Sequence, residues 1–168
     1  MRPPPLTPLA AAVLRVPPPE RVLVLGSGVS EAALFLAREF PAARVRAVDR
    51  SEAAVRAAVD RLGLDPEGRM AFKVGGPRAL PFPDGFFDLV VVLDARPRAV
   101  ELARVLRPCG HLLVVRARRL RAAARVQDAL LPWRLRRRGI ELVESVDAGE
   151  GNFLLARLAA EKRGASGN

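Results

Sequence analysis

The chain has 168 residues, half of them apolar, and a formal charge of +10, so one soluble domain with a sizeable core is expected and an anionic partner is one candidate for the charge. A single cysteine, Cys109, excludes an intramolecular disulfide framework, and with His111 as the one histidine a zinc centre is not supported. The same cysteine usage points to a reducing, cytoplasmic compartment. No run of about 18 uncharged apolar residues exists that could cross a membrane, and residues 1–12, broken by prolines and carrying Arg2, lack the apolar core of a secretory signal.

In chain order, residues 3–19 are rich in proline. Pro17-Pro18-Pro19 is an extended spacer that cannot be helical, and residues 9–14 have room for one helical turn. Residues 21–25 are almost all apolar and form a buried, parallel-type strand that runs into Gly26-Ser27-Gly28. Ser30 is placed to cap the following helix, whose apolar positions Ala33, Leu34, Ala37 and Phe40 recur at helical spacing until Pro41 stops it. A second strand, 44–48, ends at Asp49. Ser51 with Glu52 and Ala53 opens a helix that reaches Leu62 and ends at Gly63; a turn at 65–68 then leads into a third strand, 69–74.

Gly75-Gly76-Pro77-Arg78 reads as a loop and residues 80–85 as a turn. The fourth strand, 87–93, is apolar on both faces, which places it centrally with both sides covered. A helix at 98–106, a Pro108-Cys109-Gly110 turn and a fifth strand at 111–115 follow. Residues 118–138 read as one long basic helix, kinked at Pro132 and terminated by Gly139. The last two strands, 140–146 and 153–158, are joined by a link that only an antiparallel hairpin can use, and the polar tail from 161 is expected to be disordered. Strand and helix thus alternate into a seven-stranded α/β sheet, with the ligand at the carboxyl ends of strands one, two and four.

The first of those ends is a cradle. Glycines let a ligand approach the main chain, and Asp49, twenty-three residues after Gly26, is spaced like the acid that accepts hydrogen bonds from a ribose diol. A nicotinamide site would carry a third glycine at 31, where Glu31 would instead face a pyrophosphate. Asp49 also has a structural alternative as a helix cap. Asp88 opens strand four and is read as fixing local structure, Cys109 as structural, and His111 as a sheet-edge residue. Asp94, at the open end of strand four, suits either orientation of a substrate or plain solvation.

The stretches VLVLGSGVSE, the acid at 49, LPFPDGFFDLVVV and ELARVLRPCGHLLVV, at these intervals, resemble the class I S-adenosylmethionine-dependent methyltransferases. The resemblance covers residues 21–158. It implies a three-layer, Rossmann-like, seven-stranded and mostly parallel sheet with an antiparallel C-terminal hairpin, S-adenosyl-L-methionine as cofactor, and methyl transfer to an acceptor it does not specify. It divides the chain into a Pro-rich lead (1–20), too short for the substrate-covering cap of many relatives, a methyltransferase-like domain (21–160) and a tail (161–168).

Carried over by position, it implies Gly26, Ser27 and Gly28 for the methionine part of the cofactor and Asp49 for the ribose. Arg50 falls beside the adenine, Gly76 and Pro77 at its edge, and Leu93 and Asp94 at the mouth. The chain departs from the pattern at Val24, where the family usually has an acid, at Ser30 in place of a third glycine, and at Gly76 in place of an acid. It also lacks the Asn/Asp-Pro-Pro-aromatic motif of amino-group nucleic-acid methylases, since Leu93-Asp94-Ala95-Arg96 stands there. The alternative is a catalytically degenerate binding module. Residues 96–138 hold 13 arginines against Glu101 and Asp128, a local +11, which offers nucleic acid a surface along 116–138.

Overall fold

The computed structural model describes residues 6–62, 67–76, 78–96, 98–117 and 130–160. Its elements run α1 (Leu6–Val13), β1 (Arg21–Gly26), α2 (Val29–Glu39), β2 (Arg44–Asp49), α3 (Glu52–Leu62), β3 (Met70–Val74), β4 (Phe87–Leu93), α4 (Ala99–Val105), β5 (Leu106–Ala117), α5 (Leu131–Arg136), β6 (Ile140–Ala148) and β7 (Gly151–Leu158). One seven-stranded sheet has the order β3-β2-β1-β4-β5-β7-β6. β1 to β5 pair in parallel, and β7 runs antiparallel to both β5 and β6. The strand order reverses beside β1, between β2 and β4, and at such a switch the loops part and leave a crevice at the carboxyl ends.

Period-two alternation divides the core. Val22 and Val24 of β1, with Leu89, Val91 and Leu93 of β4, pack on α1 and α2. Leu23 and Leu25, with Val90 and Val92, pack on α4, α5 and the segment holding Leu80 and Phe82. β4 is buried at all seven positions, as its apolar residues on both faces require. Asp88, the one acid in that run, fixes local structure: its Oδ2 accepts the Glu20 and Arg21 N–H groups at 2.7 and 2.8 Å, and Oδ1 meets Arg107 at 2.6 Å.

Several local expectations are corrected. α1 is longer than one turn, because Pro8 falls within its first turn where no N–H is needed, and Leu9, Ala12 and Val13 cover the β5–β7 end of the sheet. Gly28, left-handed at φ 68, is the cap residue of α2, so Ser30 already lies inside that helix. Ser51 does cap α3, its Oγ accepting the Ala54 N–H at 3.2 Å.

The Pro108-Cys109-Gly110 turn is a bulge inside a continuous β5: Phe87 pairs with Leu106 and Leu89 with His111, so residues 107–110 loop out opposite Asp88 with Cys109 at φ 64. His111 is therefore interior to the sheet, between β4 and β7, rather than at its edge. Burial, with Arg157 and Arg107 nearby, lowers its pKa. Among the described residues Pro132 lies in the first turn of α5, where its missing N–H costs nothing, and Gly139 at φ 75 ends the following turn. Residues 118–129 of the expected basic helix, and the tail from 161, lie outside the described residues.

One polar clamp fixes the segment between β3 and β4. Arg104 donates to the carbonyls of Phe82 (2.8 Å) and Leu80 (3.0 Å), to Asp84 (2.9 Å) and to both oxygens of Glu101 (3.0 and 2.8 Å), and Glu101 accepts the Leu80 N–H at 2.9 Å. The Arg104 bond holds the Glu101 carboxyl below its ordinary value of 4.5, outweighing the opposite pull of burial. A depressed folded pKa gives stability that is present above pH 4.5 and is lost as pH falls through the folded value. Glu101→Gln is therefore expected to lower Tm at neutral pH and to flatten the loss of Tm on acidification below that point. An acid limb as steep as that of the unaltered chain would refute the clamp's role.

Candidate cofactor site

Strand register builds the site. Leu25 pairs with Val48, which sets Gly26 level with Asp49; Gly26 itself pairs with Leu93, which sets Asp94 one residue beyond on the other side. Asp49 pairs with Val74, and its carbonyl accepts the Gly75 N–H at 2.9 Å. Four parallel strands thus deliver four chain ends to one rim. Between them lies a cleft of about 140 Å³, lined by Leu25, Gly26, Ser27, Val48, Asp49, Arg50, Gly75, Gly76, Asp94 and Ala95.

Six of the residues singled out from the sequence line this cleft together: Gly26, Ser27, Asp49, Arg50, Gly76 and Asp94. Gly28 and Leu93 do not. Gly28 instead turns the chain into α2. The Leu93 side chain is fully buried, and its carbonyl accepts the Ser27 N–H at 2.8 Å, so Leu93 braces the glycine turn from behind. Pro77 lies outside the described residues. Leu25, Val48, Gly75 and Ala95 were missed, although each adjoins a residue that was named; the legible signal was that both strands end on an apolar residue before the polar rim.

Gly26 is demanded by the protein itself. Its φ is 119, and a Cβ there would stand 1.9 Å from the Leu93 carbonyl oxygen. The close approach that glycine permits here is between β1 and β4, and the cleft opens above that contact. Asp49 does not cap α3 itself: its Oδ1 accepts the N–H of Ser51, the residue that does, at 2.9 Å, and Asp49 also lines the cleft. The stem of Arg50 lies beside Gly76, with Cγ 3.9 Å from where a Cβ on Gly76 would stand.

The opposite rim is held from three sides. Asp94 donates its N–H to Val115 (3.0 Å), its Oδ1 accepts the Ala117 N–H (2.8 Å), and the Ala95 carbonyl accepts Arg116 Nη1 (2.7 Å). Arg116 is only 7% exposed. That corrects its place at the start of the supposed nucleic-acid surface: it is part of the scaffold under the cleft. The other oxygen of Asp94, Oδ2, is buried with no hydrogen-bond partner among the described residues. An apolar floor, a rim carboxylate suited to a diol and a buried acceptor awaiting a donor fit an adenosyl group carrying a cationic amino-acid tail.

A mostly parallel sheet with a glycine turn at the end of β1 and acids at the ends of β2 and β4 defines an α/β domain whose cleft opens at the carboxyl ends of its strands. The family model described as "Methyltransferase domain" matches residues 22–110, and the chain belongs to that family. The chain is 33% identical over 104 residues to a ubiquinone/menaquinone biosynthesis C-methyltransferase of Geobacter sulfurreducens, covering 56% of this chain and 41% of that one. It is 41% identical over 73 residues to a malonyl-[acyl-carrier protein] O-methyltransferase of the same organism, covering 44% and 27%. The chain thus spans less than half the length of these relatives. In fold it is similar to a SAM dependent methyltransferase from Aquifex aeolicus, with a TM-score of 0.71 at 21% identity over 89% of each chain.

Proposed function

We propose that this protein is an S-adenosylmethionine-dependent methyltransferase. The observation that carries the reading is the convergence of the glycine turn, Asp49 and Asp94 on one cleft in a chain of the methyltransferase-domain family. When bound, the cofactor supplies a methyl group already activated on a sulfonium, so the protein's task is chiefly to hold and orient two reactants. Asp49 accepts from the ribose hydroxyls through the oxygen that Ser51 leaves, and Leu25 and Val48 give the apolar bed. The main chain at Gly26 and Ser27 takes the amino-acid tail, and Arg50 with Gly76 flanks the base. The acceptor enters over Asp94 and Ala95.

Its chemistry stays open, because relatives of comparable identity are named for a carbon and for an oxygen acceptor. A cytoplasmic location goes with this reading, supported by a single cysteine in 168 residues. Among the described residues no helix is long and apolar enough to cross a membrane. Calorimetry with S-adenosylmethionine and its demethylated product tests the proposal: micromolar binding supports it, and no binding at millimolar ligand overturns it.

A second reading, a binding module that meets RNA, is favoured by one feature. Arg134, Arg136, Arg137 and Arg138 are exposed around α5 beside Trp133, which is 56% exposed, with the Arg137 guanidinium 5.0 Å from its ring. Arginines supply phosphate contacts and an exposed indole a stacking surface. Changing Arg136, Arg137 and Arg138 together to Ala should weaken binding to single-stranded RNA and reduce the salt slope by about two to three phosphate contacts. An unaltered slope would reject this face.

A further inference from the structure

We infer that the face of β1, β2 and β3 turned away from α2 is a docking surface for single-stranded nucleic acid, held by its phosphate backbone. The sheet steps from β1 to β2 to β3 in one direction, so right-handed crossovers put α2 and α3 on the same side, where Arg61 of α3 meets Glu31 of α2 at 3.7 Å. The step from β3 back to β4 reverses direction and sends residues 75–86 over the other side. Among the described residues that crossover holds no helix. Its Leu80 and Phe82 pack with Leu23, Leu25 and Val48, while α4 and α5 pack toward β5 and β6. The rest of β2 and β3 on this side has no helix over it among the described residues.

Register places four cations on this open face. Partners in a parallel pair share a side: Arg21 stands beside Arg44, Leu23 beside Arg46 and Val48 beside Lys73, so all four cations follow Leu23 and Val48 away from α2. Arg21, Arg44 and Lys73 are exposed, and none of them has a carboxylate within ion-pair distance among the described residues. Two rest on aromatic rings instead: the Arg21 guanidinium lies 4.7 Å from the Phe86 centroid, and Lys73 Nζ lies 5.1 Å from that of Phe82. A ring fixes a cation without neutralising it, so the charge stays available to an outside anion. Arg46 donates to the Val45 and Arg69 carbonyls at 3.1 Å, which keeps its charge on the same face. The acids of the bordering segments are engaged, Glu67 with Arg69, and Asp84 and Glu101 with Arg104. Strand geometry spreads the cations in two dimensions, about 5 Å apart across the sheet and about 6.6 Å along a strand. An acidic polypeptide carries charge at side-chain tips and joins a sheet through its edge, whereas a phosphodiester chain carries a charge in every backbone unit and can lie across a face. Arginine, at three of the four positions, suits phosphate oxygens. This face lies toward the β3 end of the sheet and α5 packs at the β6 end, so the two basic surfaces are separate.

Fluorescence anisotropy of a labelled oligouridylate on the full chain, read over a series of salt concentrations, tests this surface, and its outcome does not depend on cofactor binding. Arg44→Gln combined with Lys73→Gln removes two exposed cations and should leave the protein folded by thermal denaturation. The pair should weaken binding and cut the slope of log affinity against log salt by roughly 1.4, two contacts at about 0.7 each. Arg44→Lys combined with Lys73→Arg keeps both charges and should retain the slope of the unaltered chain. An unaltered slope in the Gln pair, or an equal loss in the charge-keeping pair, would overturn the assignment. So would a failure of the unaltered chain to bind oligouridylate. Displacement by polyglutamate as effective, charge for charge, as by unlabelled oligouridylate would overturn it in favour of an acidic protein partner.

Discussion

Gly26→Ala is expected to destabilise the protein by about 2 to 6 kcal/mol and to abolish cofactor binding, which thermal denaturation and calorimetry would measure. Two effects add. An alanine at φ 119 is held in a region that L side chains rarely adopt, which costs about 1 to 3 kcal/mol. Its Cβ would also stand 1.9 Å from the Leu93 carbonyl oxygen, a contact that backbone must move to relieve, at a further ~1 to 3 kcal/mol. Relief requires parting β1 from β4 at the point where the Ser27 N–H reaches Leu93, and that parting distorts the turn. A Tm within a degree or two of the unaltered chain would show that the strands separate there at little expense.

Asp49→Ala is expected to reduce affinity for S-adenosylmethionine by roughly 10- to 100-fold, the loss of a charge-assisted acceptor for two hydroxyls. The fold should tolerate the change at about 0.5 to 2 kcal/mol, since Ser51 Oγ still caps α3 at Ala54 and only the Ser51 N–H loses its partner. The separation of the two readouts is what makes the test informative. Unchanged affinity would assign Asp49 to the mouth of α3 alone. Asp49→Asn refines it, because the amide keeps an acceptor for Ser51 but lacks the charge for the diol.

Much of the architecture was legible in the chain because parallel strands advertise themselves. Residues 87–93 carry three consecutive valines among apolar neighbours, and a strand that is buried on both faces has no need to alternate. The C-terminal hairpin was equally plain: a six-residue link cannot carry a crossover, and the strands indeed close around Gly149 and Glu150. Boundaries failed where glycine or proline was read by habit. Gly110 and Cys109 suggested a turn before a strand, but Leu106 already pairs with Phe87, and the sheet absorbs the three extra residues as a bulge. Pro132 suggested a kink, but among the described residues it lies in the first turn of a short helix.

Sequence alone therefore determined the order of strands and helices, and the spacing that carries Gly26 and Asp49 to the ends of neighbouring strands, because these follow from hydrophobic period and local turn chemistry. Tertiary structure decided what each rim residue does. That Gly26 must clear the Leu93 carbonyl, that Leu93 supports the turn from behind, that Arg116 lies under the cleft, and that Asp94 has one oxygen without a hydrogen-bond partner among the described residues are all consequences of pairing between strands far apart in the chain. Such contacts leave no periodic trace, since they depend on register and burial across the sheet and not on any neighbour along it.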